Sequence, residues 1–356
     1  MAIITVVGAG LMGTALTFPA ADNGHDIHLI GTHLDNTIID ELKAGRAHPR
    51  LRREILPNVT PHFHTDIPTL VPGADVVVIG VNSRGVRWAG KTVGPHLQAG
   101  QKVLMVTKGL ENAGDGALQL LPDVFRAELP ERLRESVRIA AIGGPSIAGE
   151  LAARRHTGVV FTSRHGEILS ELRSYFATSY YHIWTSTDMP GVEVCVALKN
   201  IYTLAVGLAA GMVEAEMPPD PAGAQMYNTA AALFAQGLAE TAYLVQHMGG
   251  GLETVFSLPG AGDLYVTAQG GRNTKLARLL GKGLPFSSAV EEMPGETIEG
   301  VDALLSVAAA VERAVEMGAL DPDAMPLLRK LYRIVTRHEP IVFDFDSFFG
   351  SLPFGK

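Results

Sequence analysis

Short apolar runs alternate with amphipathic stretches over the first half of the chain, and longer helical periods replace them in the second. Ile3 to Val7 is apolar and stops at Gly8, the signal of a buried strand. Met12 to Asn23 has the length of a helix, with Gly24 where a C-terminal cap belongs. Asp26 to Ile30 reads as a second strand. The three make a β-α-β unit with strands apolar enough for a parallel sheet covered on both faces. Further strands are predicted at Ala74 to Val81, Lys102 to Val106, Val137 to Ile142, Gly158 to Thr162 and Tyr181 to Thr185, with a helix around Val86 to Val93. This alternation predicts an α/β, open doubly wound sheet.

The pattern changes near Asp188. Val192, Cys195, Val196, Leu198, Ile201, Leu204, Ala205 and Leu208 recur at helical spacing. Ala222 to Met248, Val301 to Met317 and Met325 to Arg337 also read as helices, and strand signals are scarce. Two domains follow: residues 1–188 with the sheet, and an all-helical C-terminal domain over 189–356. A chain of 356 residues fits that count.

Composition narrows the function classes. Hydrophobic residues make up 47% and charged residues 19%, enough for a large interior and a buried subunit interface. The formal net charge of -8 argues against nucleic acid or an anionic membrane as partner. The first residues lack a basic segment and run straight into glycines, so no signal peptide is expected. The apolar runs, such as Val76 to Ile79, are too short to span a bilayer. Cys195 is the one cysteine, so no disulfide can form within the chain, which suits a reducing, cytoplasmic setting. His25/His28 and His62/His64 lie on strand-like segments without acidic or cysteine partners, so no metal site is expected.

Gly8-Ala9-Gly10-Leu11-Met12-Gly13 matches G-x-G-x-x-G between a strand and a helix, the context that gives this motif meaning. Gly8 permits the tight turn, Gly10 lets a pyrophosphate approach the backbone, and Gly13 allows close helix–strand packing. The helix N-terminus adds amide donors and partial positive charge. The first domain is thereby a Rossmann-like dinucleotide domain. A site specific for NAD usually has an acid at the end of the second strand. Here the sequence reads Ile30-Gly31-Thr32-His33-Leu34-Asp35, with Asp35 placed further on. Thr32 and His33 would tolerate a 2′-phosphate. The reading leans towards NADP and keeps NAD open.

On the substrate side, Lys199 interrupts an apolar helical stretch. Such a lysine either snorkels to solvent or sits in a cleft, where desolvation would tune it for acid–base chemistry. Asn200 beside it would hydrogen-bond a substrate oxygen or simply face water. A second cluster spans Pro259 to Asn273, where glycines bracket Asp263, Thr267, Arg272 and Asn273. Asp263 would pair with Lys199 and orient it. The Arg272 fork matches phosphate oxygens. Thr107-Lys108-Gly109 and Gly143-Gly144-Pro145-Ser146 follow strands, at the edge where doubly wound sheets bind ligands. Lys108 is thus a candidate for an anionic substrate or cofactor.

Taken in order, these residues resemble the NAD(P)-dependent sn-glycerol-3-phosphate dehydrogenase family, nearly end to end. The resemblance rests on Gly8 to Gly13, His48-Pro49, Thr107-Lys108-Gly109-Leu110, Gly144-Pro145-Ser146-Ile147-Ala148, Ala197-Leu198-Lys199-Asn200, Gly260 to Asp263, Gly271-Arg272-Asn273 and Glu299-Gly300. It implies that Lys199 is the acid–base residue at the substrate C2 oxygen, with Asp263 beside it. It implies that Lys108, Gly144, Ser146, Thr267, Arg272 and Asn273 surround a small phosphorylated substrate. Ala148 and Glu299 would contact the cofactor, together with Ser83, Lys108 and Arg272. Members are commonly dimers, which implies a homodimer, and use no catalytic metal. Asn82-Ser83 stands where members often have Pro-Ser, and Pro259 where a small residue is usual. The aromatic tail Phe348 to Phe354 has no counterpart in this reading. The expected reaction is reversible hydride transfer between NAD(P)H and dihydroxyacetone phosphate, giving sn-glycerol 3-phosphate. Another polyol phosphate, a β-hydroxy acid, or a nicotinamide sensor without turnover are the alternatives.

Overall fold

The computed structural model describes residues 1–114, 116–296 and 298–348. The tail from Phe349 to Phe354 lies outside the described residues. The chain divides into two compact units, 1–108 with 120–189, and 109–119 with 190–356.

The first unit is built on an eight-stranded sheet. The strands of the chain are β1 (Ile3–Val7), β2 (Asp26–Ile30), β3 (Val59–His62), β4 (Val76–Ile79), β5 (Lys102–Met105), β6 (Leu110–Asn112), β7 (Leu118–Leu120), β8 (Arg138–Gly143), β9 (Thr157–Thr162) and β10 (Tyr181–Ser186). The sheet order is β10-β9-β8-β5-β4-β1-β2-β3. From β3 to β8 every pairing is parallel, with Val6 beside Leu29 and Val78. Alternate residues serve opposite faces. Ile4, Val6, Val76, Val78 and Leu104 enter one core, and Val7, Val77, Ile79, Val103 and Met105 the other. Burial on both sides is why these strands read as unbroken apolar runs.

β9 runs antiparallel to β8, with Ala141 opposite Thr162, and β10 follows β9 in parallel. The β8–β9 link contains only the short helix Ala148–Ala152. Such a helix advances roughly 8 Å against the ~20 Å of a strand, so the chain returns from the end it left. β3 was not signalled by the sequence. It carries Pro61, which an edge strand accepts and a central one does not.

The second unit is helical around Met189–Ala215, Tyr227–His247, Arg272–Gly281, Glu299–Glu316 and Pro326–Arg337. A single cut at 188 assigns residues 109–119 to the first domain, but they belong to the second unit. β6 and β7 form a two-stranded sheet of their own there. Asn112 Nδ2 donates to Ser306 O at 3.4 Å, and Gly116 lies against Met317 and Arg313. Too short and polar to signal as strands, this excursion is held by the helix Glu299–Glu316.

Met189–Ala215 is long and apolar enough to cross a membrane, and 83% of its most apolar window is buried inside the protein. It is hydrophobic all round because it is a core helix. Gly207, Gly211 and Gly281 bring it against Arg272–Gly281. A Cβ on Gly211 would lie 2.2 Å from Arg278 O, and one on Gly281 2.3 Å from Leu208 O.

Candidate active site

The glycine loop of the first unit is packed as its motif requires. Gly8 has φ 114, a conformation that excludes ordinary side chains. A Cβ on Gly13 would lie 2.1 Å from Gly8 O, and one on Gly8 2.7 Å from Gly80 O. Strand, turn and helix therefore touch through bare backbone. Gly10 differs, because a Cβ there meets nothing within 4 Å. Leu11 and Met12 open the helix Leu11–Asp22, whose first turn has no side-chain cap. Open space beside Gly10 and uncapped amides form a cradle that fits a dinucleotide pyrophosphate.

At the end of β2, the Asp35 carboxylate turns inward. Its Oδ2 accepts from Thr32 N and Thr32 Oγ1, both at 2.8 Å, and from Ala9 N at 3.3 Å. Thr32 Oγ1 also accepts from Leu34 N at 3.2 Å. Thr32, expected to face the cofactor, thus spends its hydroxyl within the turn. His33 is exposed, its ring 5.3 Å from that of Trp88.

Further along the same sheet edge, Lys108 Nζ donates to Gly144 O at 2.9 Å. Gly144 has φ 110. Ser146 Oγ is buried and has no hydrogen-bond partner among the described residues. Buried hydroxyls are usually satisfied, so an orphan beside this sheet edge suits a ligand oxygen. Ala148 begins the short helix after Ser146, and Ser83 lies exposed in the turn after β4. Asn82, in place of a proline, accepts from Gly85 N at 3.0 Å and caps that turn.

In the second unit, Lys199 Nζ donates to Asp263 Oδ1 at 2.5 Å and Thr267 Oγ1 at 3.0 Å. The Thr267 hydroxyl gives its own hydrogen to Asp263 O at 2.7 Å, so it meets the ammonium as an acceptor. The two side chains are 11% and 1% exposed, a desolvated ion pair. The glycine-rich segment from Pro259 to Asn273 is mostly helical. After a widened turn at Leu258–Gly262 begins the helix Asp263–Ala268, which puts Asp263 and Thr267 one turn apart on one face. Pro259 and Gly260 are buried in that turn, where a Cβ on Gly260 would lie 2.0 Å from Val255 O.

Gly271, with φ 105, breaks the chain before Arg272 opens the next helix. Arg272 Nη2 pairs with Glu299 Oε1 at 3.2 Å, both partly exposed. Asn273, expected to contact substrate, is hydrogen-bonded within the unit. Its Nδ2 donates to Asn200 Oδ1 at 3.2 Å and its Oδ1 accepts from Gly300 N at 3.0 Å. It ties the lysine helix to the start of Glu299–Glu316. Sequence reading missed another anchor, Glu240. This buried carboxylate accepts from Tyr202 Oη, Gln236 Nε2, Leu327 N and Leu328 N at 2.6–2.9 Å. Burial pushes it up to about 7, although all four donors oppose the shift. Cys195 is buried. Among the described residues no group of three or more His, Cys, Asp or Glu is arranged to hold a metal ion.

A dinucleotide-type glycine loop in one unit and a buried Lys–Asp pair in the other define a nicotinamide-dependent dehydrogenase of small alcohols. The two-part model of NAD-dependent glycerol-3-phosphate dehydrogenase matches residues 3–168 with its N-terminal part and 188–342 with its C-terminal part. The chain belongs to that family. It is 33% identical over 349 residues to the NADP(+)-dependent glycerol-3-phosphate dehydrogenase of Archaeoglobus fulgidus, covering 97% of this chain and 99% of that one. The glycerol-3-phosphate dehydrogenase [NAD(P)+] of Bacillus pumilus is 31% identical, covering 93% and 89%. The crystal structure of glycerol-3-phosphate dehydrogenase from Coxiella burnetii superposes with a TM-score of 0.79 at 28% identity, covering 95% of each chain.

Proposed function

We propose that Lys199 is the acid–base residue of a reversible, NAD(P)-dependent interconversion of dihydroxyacetone phosphate and sn-glycerol 3-phosphate. The chain is an NAD(P)-dependent oxidoreductase acting on a CH–OH group of a small molecule. The observation that carries the residue assignment is the buried Lys199–Asp263–Thr267 cluster. The bound nicotinamide would supply or accept the hydride at the substrate C2 carbon. Lys199 gives a proton to the C2 oxygen during reduction and takes it back during oxidation. Asp263 and Thr267 together fix where the Lys199 amine points. Arg272, at the start of its helix, suits the phosphate both by its fork and by the neighbouring amides. Lys108, Gly144 and Ser146 suit substrate oxygens at the sheet edge. Asn200 and Asn273 act by holding the helices that carry Lys199 and Arg272.

The first unit then carries the cofactor, and the second the acid–base residue. Preference for NADP is supported by Asp35, which is engaged with the loop, and by the exposed His33. The Archaeoglobus relative is named for NADP. A cytoplasmic setting is the further reading, supported by a lone buried thiol, and a homodimer is what the family resemblance implies.

The test is Lys199→Ala. Loss of the general acid should lower kcat by roughly 10²–10⁴-fold while NADPH still binds. Turnover close to that of the parent would overturn the assignment.

A further inference from the structure

We infer that His48 is a positioning residue for the dinucleotide loop, acting through the carbonyl of Ala9. The inference rests on the reading of Gly8 to Gly13 as the pyrophosphate site. His48 is fully buried, on the loop after the second helix of the chain, far in sequence from the residues it serves. Its Nδ1 accepts from Arg50 N at 3.2 Å and from Leu51 N at 2.9 Å. Nδ1 is therefore unprotonated, and the hydrogen sits on Nε2. Nε2 donates to Ala9 O at 2.9 Å. Thr14 Oγ1 gives the same carbonyl a second bond at 3.2 Å.

The consequence follows from one planar group. Ala9 C=O and Gly10 N–H belong to a single trans peptide, so they point in opposite directions. Pinning the carbonyl inward on His48 turns the Gly10 amide outward, to the side where a Cβ on Gly10 would find nothing within 4 Å. Gly10 on its C-terminal side, with Gly8 one residue further back, leaves this peptide freer to rotate than most, so an external clamp has something to do. Asp35 holds the preceding peptide by accepting from Ala9 N at 3.3 Å. Both peptides of Ala9 are thus clamped by side chains from outside the motif. The turn behind the imidazole is itself strained: Arg52 has φ 55 and donates its N–H to His48 O at 2.7 Å. A left-handed arginine is tolerated there to present the ring.

Two substitutions separate the two edges of the ring. In His48→Gln the side-chain amide can reach Ala9 O in place of Nε2. In His48→Asn the carbonyl replaces Nδ1 for Arg50 and Leu51, but nothing reaches Ala9. The experiment measures NADPH affinity by fluorescence titration, KM for NADPH, kcat at saturating cofactor and the thermal midpoint. His48→Asn should weaken NADPH binding and raise its KM by about 3–10-fold, the worth of one net hydrogen bond, while kcat changes less than about twofold. His48→Gln should restore both constants to within about twofold, although it too melts earlier than the parent. Equal NADPH constants for the parent and His48→Asn would overturn the inference. So would losses in both variants that follow the thermal midpoint alone. Failure of the unaltered protein to bind NADPH would overturn the loop reading itself, and the clamp with it.

Discussion

Lys199 buries an ammonium in an apolar helix, which is costly unless the charge is matched and hydrogen-bonded. Asp263 at 2.5 Å and Thr267 at 3.0 Å provide the match. Removing the carboxylate in Asp263→Ala should cost of the order of 3 kcal/mol, read by urea denaturation, and most of the turnover. Ser146 predicts the opposite balance. Its orphaned hydroxyl contributes no internal bond, so Ser146→Ala should leave stability unchanged or slightly raised. The same change should raise KM for dihydroxyacetone phosphate by about tenfold, if the hydroxyl serves the substrate. A loss of stability without a change in KM would contradict that role. At this scale the pairing of Lys199 with Asp263 was legible because both residue types stood alone among apolar and glycine neighbours. Thr32, Asp35, Asn273 and His48 were not legible, because the direction of a short polar side chain depends on partners remote in sequence.

The elements owe their relative placement to backbone contacts as much as to side chains. The helix that carries Lys199 and the helix that Arg272 opens meet through Gly207, Gly211 and Gly281. Gly211→Ala would gain helix propensity of about 1 kcal/mol. The clash with Arg278 O outweighs it, since backbone on both sides must move. Net destabilisation of about 2 kcal/mol is expected in denaturant melts, with kcat/KM lowered as the two helices separate. The parallel core strands were readable from apolar runs, because burial on both faces leaves no polar alternation. The reversal at β9, the edge strand β3 and the β6–β7 excursion were not. Their direction and existence are set by link length, by an edge that accepts proline, and by a distant helix.

Across the whole molecule, Glu240 joins Tyr202 of the lysine helix to the amides that open Pro326–Arg337. Its carboxyl sits at about 7 in the folded protein, above the ordinary 4.5. The folded state therefore holds this proton more tightly than the unfolded chain. The resulting stability is present in full below pH 4.5 and is lost as pH rises through about 7. Glu240→Gln should flatten that part of the melting-temperature profile between pH 4.5 and 7.5, relative to the parent. An unchanged profile would contradict the assignment. Light scattering on the purified protein checks the subunit count, with twice the chain mass of 37.8 kDa expected. The central claim, that this chain reduces dihydroxyacetone phosphate with NAD(P)H, is tested most directly by mixing it with that substrate and either NADPH or NADH and following absorbance of the reduced cofactor. Substrate-dependent loss is predicted with at least one of them, faster with NADPH. No loss with either, while both bind, would contradict the account.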